Sequence, residues 1–234
     1  MFSAYIFAMK IINKFIKNGT KFILPNTCVI DNTVWLDNTS VIGKNCEIIQ
    51  KSCVLDNSYI DNSTLINVKA GKNCIIKNSY LSNCEIKDGT VVNFANITDS
   101  CIGSGCKIGP FCVIRERSNI KDNCRIGSFV EIKKSKLENG VKSAHLTYIG
   151  DASVGENTNI GCGVVFANYN GKLKQKTSVG KNCFVGANVN LIAPLTLQDN
   201  CYIGAGTTIS KDLENNKFVV SVRNNKITEN LLNT

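Results

Sequence analysis

Aliphatic residues recur at every sixth position over long stretches of this chain. From Ile42 it divides as IGKNCE, IIQKSC, VLDNSY, IDNSTL; from Ile102 as IGSGCK, IGPFCV, IRERSN, IKDNCR, IGSFVE; from Val179 as VGKNCF, VGANVN, LIAPLT, LQDNCY, IGAGTT. An aliphatic residue opens each hexad, and the fifth place is small or apolar, as at Cys46, Ser52, Cys106, Cys112, Cys124, Val130, Cys183 and Cys201. A period of six matches neither the 3.6 of a helix nor the simple alternation of a strand. It suits a short strand followed by a corner, three of which close one turn of a triangular prism. The first place then fills the inside of a face and the fifth the inside of a corner. Gly, Asn and Asp between them supply the backbone freedom a corner needs. The pattern predicts an all-β parallel β-helix with coils about 4.8 Å apart. The period does not fix its hand, and ordinary parallel crossovers are right-handed.

The phase slips at SKLENGV, between Ile132 and Leu137, and again between Ile149 and Val154. It is lost between Phe166 and Val179, where ANYNGKLKQKTS reads as a loop projecting from a corner. Such interruptions are where a regular coil carries function. Ahead of the repeats, an amphipathic helix is expected over about residues 8–17, ended by Asn18-Gly19. The apolar start is too short to span a membrane and lacks the basic residues that precede a signal sequence. The organisation reads as a connector helix over residues 1–24, a β-helix over 25–213 and a tail over 214–234.

Composition narrows the partners. The net charge of +9 comes from lysines scattered along the chain. It lacks the arginine blocks and interleaved aromatics of a nucleic-acid groove, so phosphorylated small molecules are the expected anions. There are twelve cysteines, but no C-x-x-C pair and one histidine, so no zinc set is expected. That single histidine also excludes a metal-dependent lyase built on three histidine ligands. The cysteine spacing reads as reduced packing residues in a reducing, cytoplasmic compartment.

The one histidine stands in KSAHLTYIGD. Counting through the slips sets His145 above Ser128 and Tyr148 above Glu131, with Lys133 beside them and Arg115 one coil below Lys133. One patch then holds an imidazole, a carboxylate, a phenol and an ammonium group. The bland readings are a half-buried bystander for His145, a solvated loop lysine for Lys174 and a packing thiol for Cys162.

The hexads resemble those of the hexapeptide acyltransferase superfamily, which implies a left-handed β-helix. IGPFCVIRERS, IGSFVEIKKSKLENGVKSAHLTYIGDASVGENTNIGCG, ANYNGKLKQKTSVGKNCFVGANVNLIAP and IGAGTTISKD resemble a narrower family, over about the last 130 residues. It is the glucosamine-1-phosphate N-acetyltransferase domain of the bifunctional bacterial enzymes of UDP-N-acetylglucosamine synthesis. The H-L-T-Y-x-G-D string followed by N-Y-x-G is the specific part. Upstream, KIINKFIKNGTKFILPNTCVIDNTVWLDNTSVIG is similar to that family's connecting helix and first coils.

The resemblance implies acetyl transfer from acetyl-CoA to the amine of glucosamine 1-phosphate, with no metal required. It makes His145 the general base and Glu131 its supporting carboxylate. Arg117, Lys133, Tyr148 and Lys174 match positions that hold the sugar phosphate, and Asn159 a sugar contact. Cys162, Asn168, Tyr169, Ala187, Ala205 and Arg223 match the acetyl-CoA positions. Elementary chemistry agrees: an amine attacks a thioester only as the free base, and imidazole, with a pKa of about 6.5, suits proton removal near neutrality. A homotrimer with shared active sites is implied, the 166–178 loop reaching an adjoining subunit.

This sequence departs from the family pattern in several places. Cys162 replaces the usual alanine and Ala187 the usual serine. Arg117 is preferred to Arg115 on a stretch read as two residues short, and Arg223 aligns after a one-residue insertion. No Gly-rich nucleotide loop is present, so uridyl transfer is not expected, and a separately encoded nucleotidyltransferase is an open partner. Two alternatives remain open: a non-catalytic trimeric scaffold, and acetylation of another amino sugar phosphate.

Overall fold

The computed structural model describes residues 2–221, with side chains from Met9 onward. The chain winds into about twelve turns of left-handed parallel β-helix behind one N-terminal helix. One coil shows the plan: a first face at Lys107–Ile108, a second at Cys112–Arg115 and a third at Asn119–Ile120. Each strand pairs in parallel with its counterpart in the next coil, as Ile108 does with Ile126, Ile114 with Ile132 and Ile120 with Leu137. These six side chains are at most 3% exposed and close the prism's interior. Burial of each is worth about 1.5–3 kcal/mol.

The corner interiors explain the hydroxyls and thiols of the fifth place. Ser58 Oγ donates to the Gly71 carbonyl (2.7 Å) and accepts from the Cys74 N–H (3.0 Å). Thr90 Oγ1 does the same between Gly103 and Cys106. Cysteine supplies the donor half: Cys106 Sγ donates to Lys121 O and Cys124 Sγ to Glu138 O, both at 3.1 Å. A buried corner thus keeps its backbone polar groups paired. All twelve cysteines are free and nine are buried. Burial pushes the Cys84 thiol up to about 11 and the Cys112 thiol up to about 12, so both stay protonated.

The slips are five-residue repeats. Ile132 to Leu137 and Ile149 to Val154 each span one corner with a single left-handed residue, Lys134 (φ 47°) and Asp151 (φ 48°). The same shortening gives 16-residue coils between Ile60, Ile76, Val92 and Ile108, all interior and in register on one face. Counting by six loses that region because two of its three corners are one residue shorter.

The helix runs from Phe2 to Lys17, further toward the N-terminus than the 8–17 expected, since neither glycine nor proline interrupts it. Ile12 is fully buried, and Met9, Ile11 and Phe15 pack on the core, so the helix caps the open end of the prism. Lys21–Phe22 already pairs with Val41–Ile42, and Phe218–Val219 still pairs with Tyr202–Ile203. The coil therefore extends into both segments read as connector and tail. Arg223 lies outside the described residues. No helix among the described residues is long and apolar enough to cross a membrane.

Candidate active site

Two nine-residue strands, Arg125–Lys133 and Lys142–Gly150, pass from the first face around a corner onto the second. Their register sets His145 over Ser128, Tyr148 over Glu131 and Gly150 over Lys133, the stacking counted from the sequence. At Gly127 the strand above comes so close that a Cβ would collide with the Ala144 carbonyl oxygen. The corner itself is made by Phe129 (φ 58°) and Leu146 (φ 38°), both left-handed and both exposed. Phe94, Phe111 and Phe129 stack below with ring centroids 5.3 and 5.6 Å apart. An apolar edge therefore runs up to His145.

His145 is exposed, and its imidazole makes no hydrogen bond among the described residues. Its backbone is fixed within the same corner: Thr147 Oγ1 shares its hydrogen between the His145 carbonyl (2.7 Å) and Gly161 O of the coil above (3.2 Å). Both ring nitrogens are open to a ligand.

Charges gather on the second face. Glu131 Oε1 accepts from Arg115 Nε (3.0 Å) and Nη2 (2.7 Å), and Arg115 also pairs with Glu116. Glu131 raises the Arg115 pKa through these bonds. The carboxylate is thus held by Arg115, and no hydrogen bond joins it to His145. Lys133 sits directly above Arg115, its side chain only 8% exposed, and its Nζ lies 3.4 Å from Glu116 Oε2. Lys174, from the projecting loop, meets Lys133. Its pKa is lowered by the hydrogen bond with Lys133 and then by that lysine's positive charge. Three cations and two carboxylates thus share one patch.

The loop is pinned from beneath. Asn168, 7% exposed, donates through Nδ2 to Asp151 Oδ2 (2.6 Å) and reaches the Tyr148 hydroxyl at 3.4 Å. Its carbonyl accepts from Gln175 N–H (2.7 Å), and Tyr169 bridges to Lys174, closing the loop into a small hairpin. Tyr169 itself is exposed, its hydroxyl donating to Gly171 O (2.7 Å). Gly150 leaves room here: a Cβ would meet the Tyr148 ring and hydroxyl and the Asn168 amide, so a larger residue would have to displace them.

Above the histidine the same corner climbs through small residues. The Gly163 N–H donates to Leu146 O, Asn188 N–H to Cys162 O and Gly206 N–H to Ala187 O, at 2.7–2.8 Å. The residue before each left-handed position therefore forms one column: Ser128, His145, Cys162, Ala187, Ala205. Cys162 and Ala205 are exposed and Ala187 partly so. Four positions expected from separate motifs thus align along one edge.

Two expected residues stand apart. Asn159 lies on the first face, in register with Lys142 and Phe184. Arg117 sits in the corner between the second and third faces (φ 59°), beside Asn119 and Lys134. Arg115, not Arg117, occupies the place beneath Lys133, because six residues separate Ile108, Ile114, Ile120 and Ile126 with no shortening in that coil. Asp151 was not singled out from the sequence, although its place in the H-L-T-Y-x-G-D string marks it. No group of three His, Cys, Asp or Glu side chains suited to a metal occurs among the described residues.

A family model described as bacterial transferase hexapeptide (six repeats) matches residues 100–134 and 176–211. The bifunctional protein GlmU of Clostridium botulinum (strain ATCC 19397 / Type A) is 39% identical over 218 residues, 91% of this chain and 43% of that protein. The GlmU of Clostridioides difficile (strain 630) is 36% identical over 204 residues, 87% and 41%. The chain thus spans less than half the length of these relatives. Among solved structures, the Francisella novicida UDP-N-acetylglucosamine acyltransferase aligns with a TM-score of 0.41 and 14% identity, covering 84% of this chain and 66% of that one. LpxA from Acinetobacter baumannii aligns with a TM-score of 0.34 and 15% identity, covering 82% and 71%.

Proposed function

We propose that this hexapeptide-repeat chain, which resembles the C-terminal acetyltransferase part of the bifunctional GlmU proteins, transfers the acetyl group of acetyl-CoA to the amine of glucosamine 1-phosphate. The observation that carries the reading is the column His145, Cys162, Ala187, Ala205, which descends to the corner from which the second face runs toward the Arg115, Lys133 and Lys174 cations. An extended thioester arm fits along an edge of small side chains, and backbone groups lie within its reach there. A phosphate suits three converging cations. Each substrate thus has a surface of matching chemistry, and the imidazole stands where the two meet.

In this reading the amine nitrogen attacks the thioester carbonyl while an imidazole nitrogen of His145 takes the amine proton. The tetrahedral oxyanion is met by corner N–H groups. It collapses with breakage of the C–S bond, and the imidazolium returns the proton to the departing thiolate. Acetyl moves from sulfur to nitrogen, no electrons are exchanged, and no metal enters. Arg115, Lys133 and Lys174 hold the phosphate, and Glu131 orders Arg115. Asn168 and Tyr169 shape the loop beside the arm.

A homotrimer is part of the proposal. The exposed Phe94, Phe111, Phe129 and Leu146 edge supports packing against a second copy, whose wall would complete the cleft beside His145. Uridyl transfer is assigned to another polypeptide segment.

The test is thiol release from acetyl-CoA with glucosamine 1-phosphate, with glucosamine 6-phosphate and UDP-linked amino sugars as controls. Turnover confined to glucosamine 1-phosphate supports the reading. Turnover with a control alone would reassign the amine, and none with any of them would leave a scaffold.

A further inference from the structure

The corner between the second and third faces carries left-handed residues coil upon coil: Asn67, Asn83, Asp99, the pair Glu116 and Arg117, Lys134 and Asp151. In its lower part the column satisfies itself. Asn67 Nδ2 donates to Asn83 Oδ1 (2.9 Å), and Asn83 Nδ2 to Asp99 Oδ1 (3.1 Å). Asn and Asp are also the residues that adopt this backbone most readily. Above Asp99 both advantages are given up. Arg117 (φ 59°) and Lys134 (φ 47°) are neither glycine nor asparagine, and they bring two cations to adjacent coils of one groove, while Glu116 beside them is engaged by Arg115 and Lys133. Lys136 follows on the third face, and Lys176 closes in from the root of the loop.

These four cations line a groove of about 550 Å³ on the side of the corner away from His145. Its floor is hydroxylic, with Ser153 Oγ donating to Ser178 Oγ at 3.1 Å. Two carboxylates also line it, and both are engaged. Asp151 is taken by Asn168 and, at 3.6 Å, by Lys134 Nζ, while Asp212 Oδ1 accepts from the Thr196 N–H. Lys136 has Glu138 as a partner. Among the described residues, Arg117 and Lys176 form no ion pair. Below Arg117 the excess of positive charge ends: Lys69 is paired with Glu85 at 3.2 Å, and Asp99 follows along the continuing groove. The positive stretch is therefore bounded.

We propose that this groove is a second anion site, separate from the His145 patch, for a phosphate ester of a hydroxyl-rich small molecule. The phosphate would sit between Arg117, Lys134 and Lys136, where it relieves the repulsion between them and where guanidinium and ammonium groups give charge-assisted bonds. The hydroxyl-bearing part would lie upward on Ser153 and Ser178. Carboxylate metabolites fit less well, since one charge would meet three cations.

The experiment is a calorimetric titration of the full chain with pyrophosphate and, separately, with ribose 5-phosphate. Pyrophosphate should bind with an affinity that falls as salt is raised. In a Lys133→Ala background, which weakens the His145 patch, binding should persist, and adding Lys136→Glu and Lys176→Glu should reduce it at least tenfold. Ser153→Val should weaken ribose 5-phosphate several-fold and leave pyrophosphate unchanged. Lys136→Gln keeps the test should the charge reversals unfold the chain. Equal pyrophosphate binding by the Lys133→Ala chain with and without the reversals, at matched melting temperature, overturns the proposal. So does a Lys136→Gln chain whose acetyl transfer falls in step with its anion binding, because the groove would then be one site with the His145 patch. Absence of acetyl transfer altogether bears only on the proposed reaction and leaves the titration to decide the groove.

Discussion

Arg115 lies one coil beneath Lys133 on the same face and holds Glu131 Oε1 through two nitrogens, at 3.0 and 2.7 Å. The pairing leaves Arg115 charged and oriented beside the two lysines. Arg115→Ala should therefore raise KM for the phosphorylated sugar roughly ten- to hundredfold, the worth of one charge-assisted hydrogen bond, with little change in KM for acetyl-CoA. Arg117→Ala should affect the sugar less than Arg115→Ala does. Steady-state kinetics with each substrate varied in turn would decide, and a larger effect at Arg117 would restore the assignment first made from the sequence.

Among the described residues His145 makes no side-chain hydrogen bond, and it is exposed, so removing its ring costs the fold little. His145→Ala should lower kcat by a factor of order 10² to 10⁴ with an unchanged melting temperature, the loss being general-base catalysis. Near-normal turnover in that variant would remove the histidine from the mechanism.

The fold was legible where chemistry repeats. Ile108, Ile114 and Ile120 point inward because an aliphatic residue every sixth place can do nothing else in a three-cornered coil, and the stacking of His145 on Ser128 followed by counting. What escaped the count was corner length. A five-residue repeat such as Ile60 to Leu65 looks like noise in a period of six, yet Leu65 reaches the next face, in register with Ile48, through a one-residue tighter turn at Asn62. The stacking within the candidate site was legible by counting, and its side-chain pairings were less so. Glu131 was expected to support His145, but an arginine from the coil below claims it, and no local string reveals which of two neighbouring coils supplies a partner. Asp151 was missed for a similar reason: its role depends on Asn168, which arrives after a whole turn.

Asp151 is a buried carboxylate whose partner, Asn168, is also buried. Asp151→Ala leaves that amide without an acceptor, and an unpaired buried polar group costs about 1–3 kcal/mol. It also puts a Cβ residue with no turn preference at φ 48°. Asp151→Asn keeps an acceptor oxygen and tolerates that backbone, so it should lose less. Chemical denaturation should rank the two variants in that order, and faster proteolysis within residues 168–176 should accompany the alanine variant. Equal stability of all three chains would mean that the loop is held elsewhere.

The Lys174 pKa is lowered, first by its hydrogen bond with Lys133 and then by the positive charge of that lysine. A lysine with a lowered pKa loses its charge earlier as pH rises, so phosphate binding should weaken on the alkaline side before an ordinary lysine would titrate. The KM for the sugar phosphate should rise there while that for acetyl-CoA stays level. Lys174→Arg, charged throughout, should flatten the rise. A rise that survives this substitution would assign it to another group.

Ala187 and Ala205 stand two and three coils above His145 on one edge, the higher of them about 14 Å from it at the usual coil spacing. If an acyl-bearing arm descends this edge, bulk on it must block the thioester from reaching the imidazole, while the sugar phosphate, on the second face, is untouched. Ala205→Trp should therefore raise KM for acetyl-CoA at least tenfold and leave that for the sugar phosphate within about twofold. Ala205 is exposed, so the larger side chain meets solvent and melting should be unaffected. The readout can be sharpened with a shortened donor: acetyl-pantetheine, which lacks the nucleotide, should lose less on substitution at Ala205 than at Ala187, because a shorter arm needs fewer coils. Equal KM values for acetyl-CoA in wild type and Ala205→Trp would place the arm on another edge of the prism.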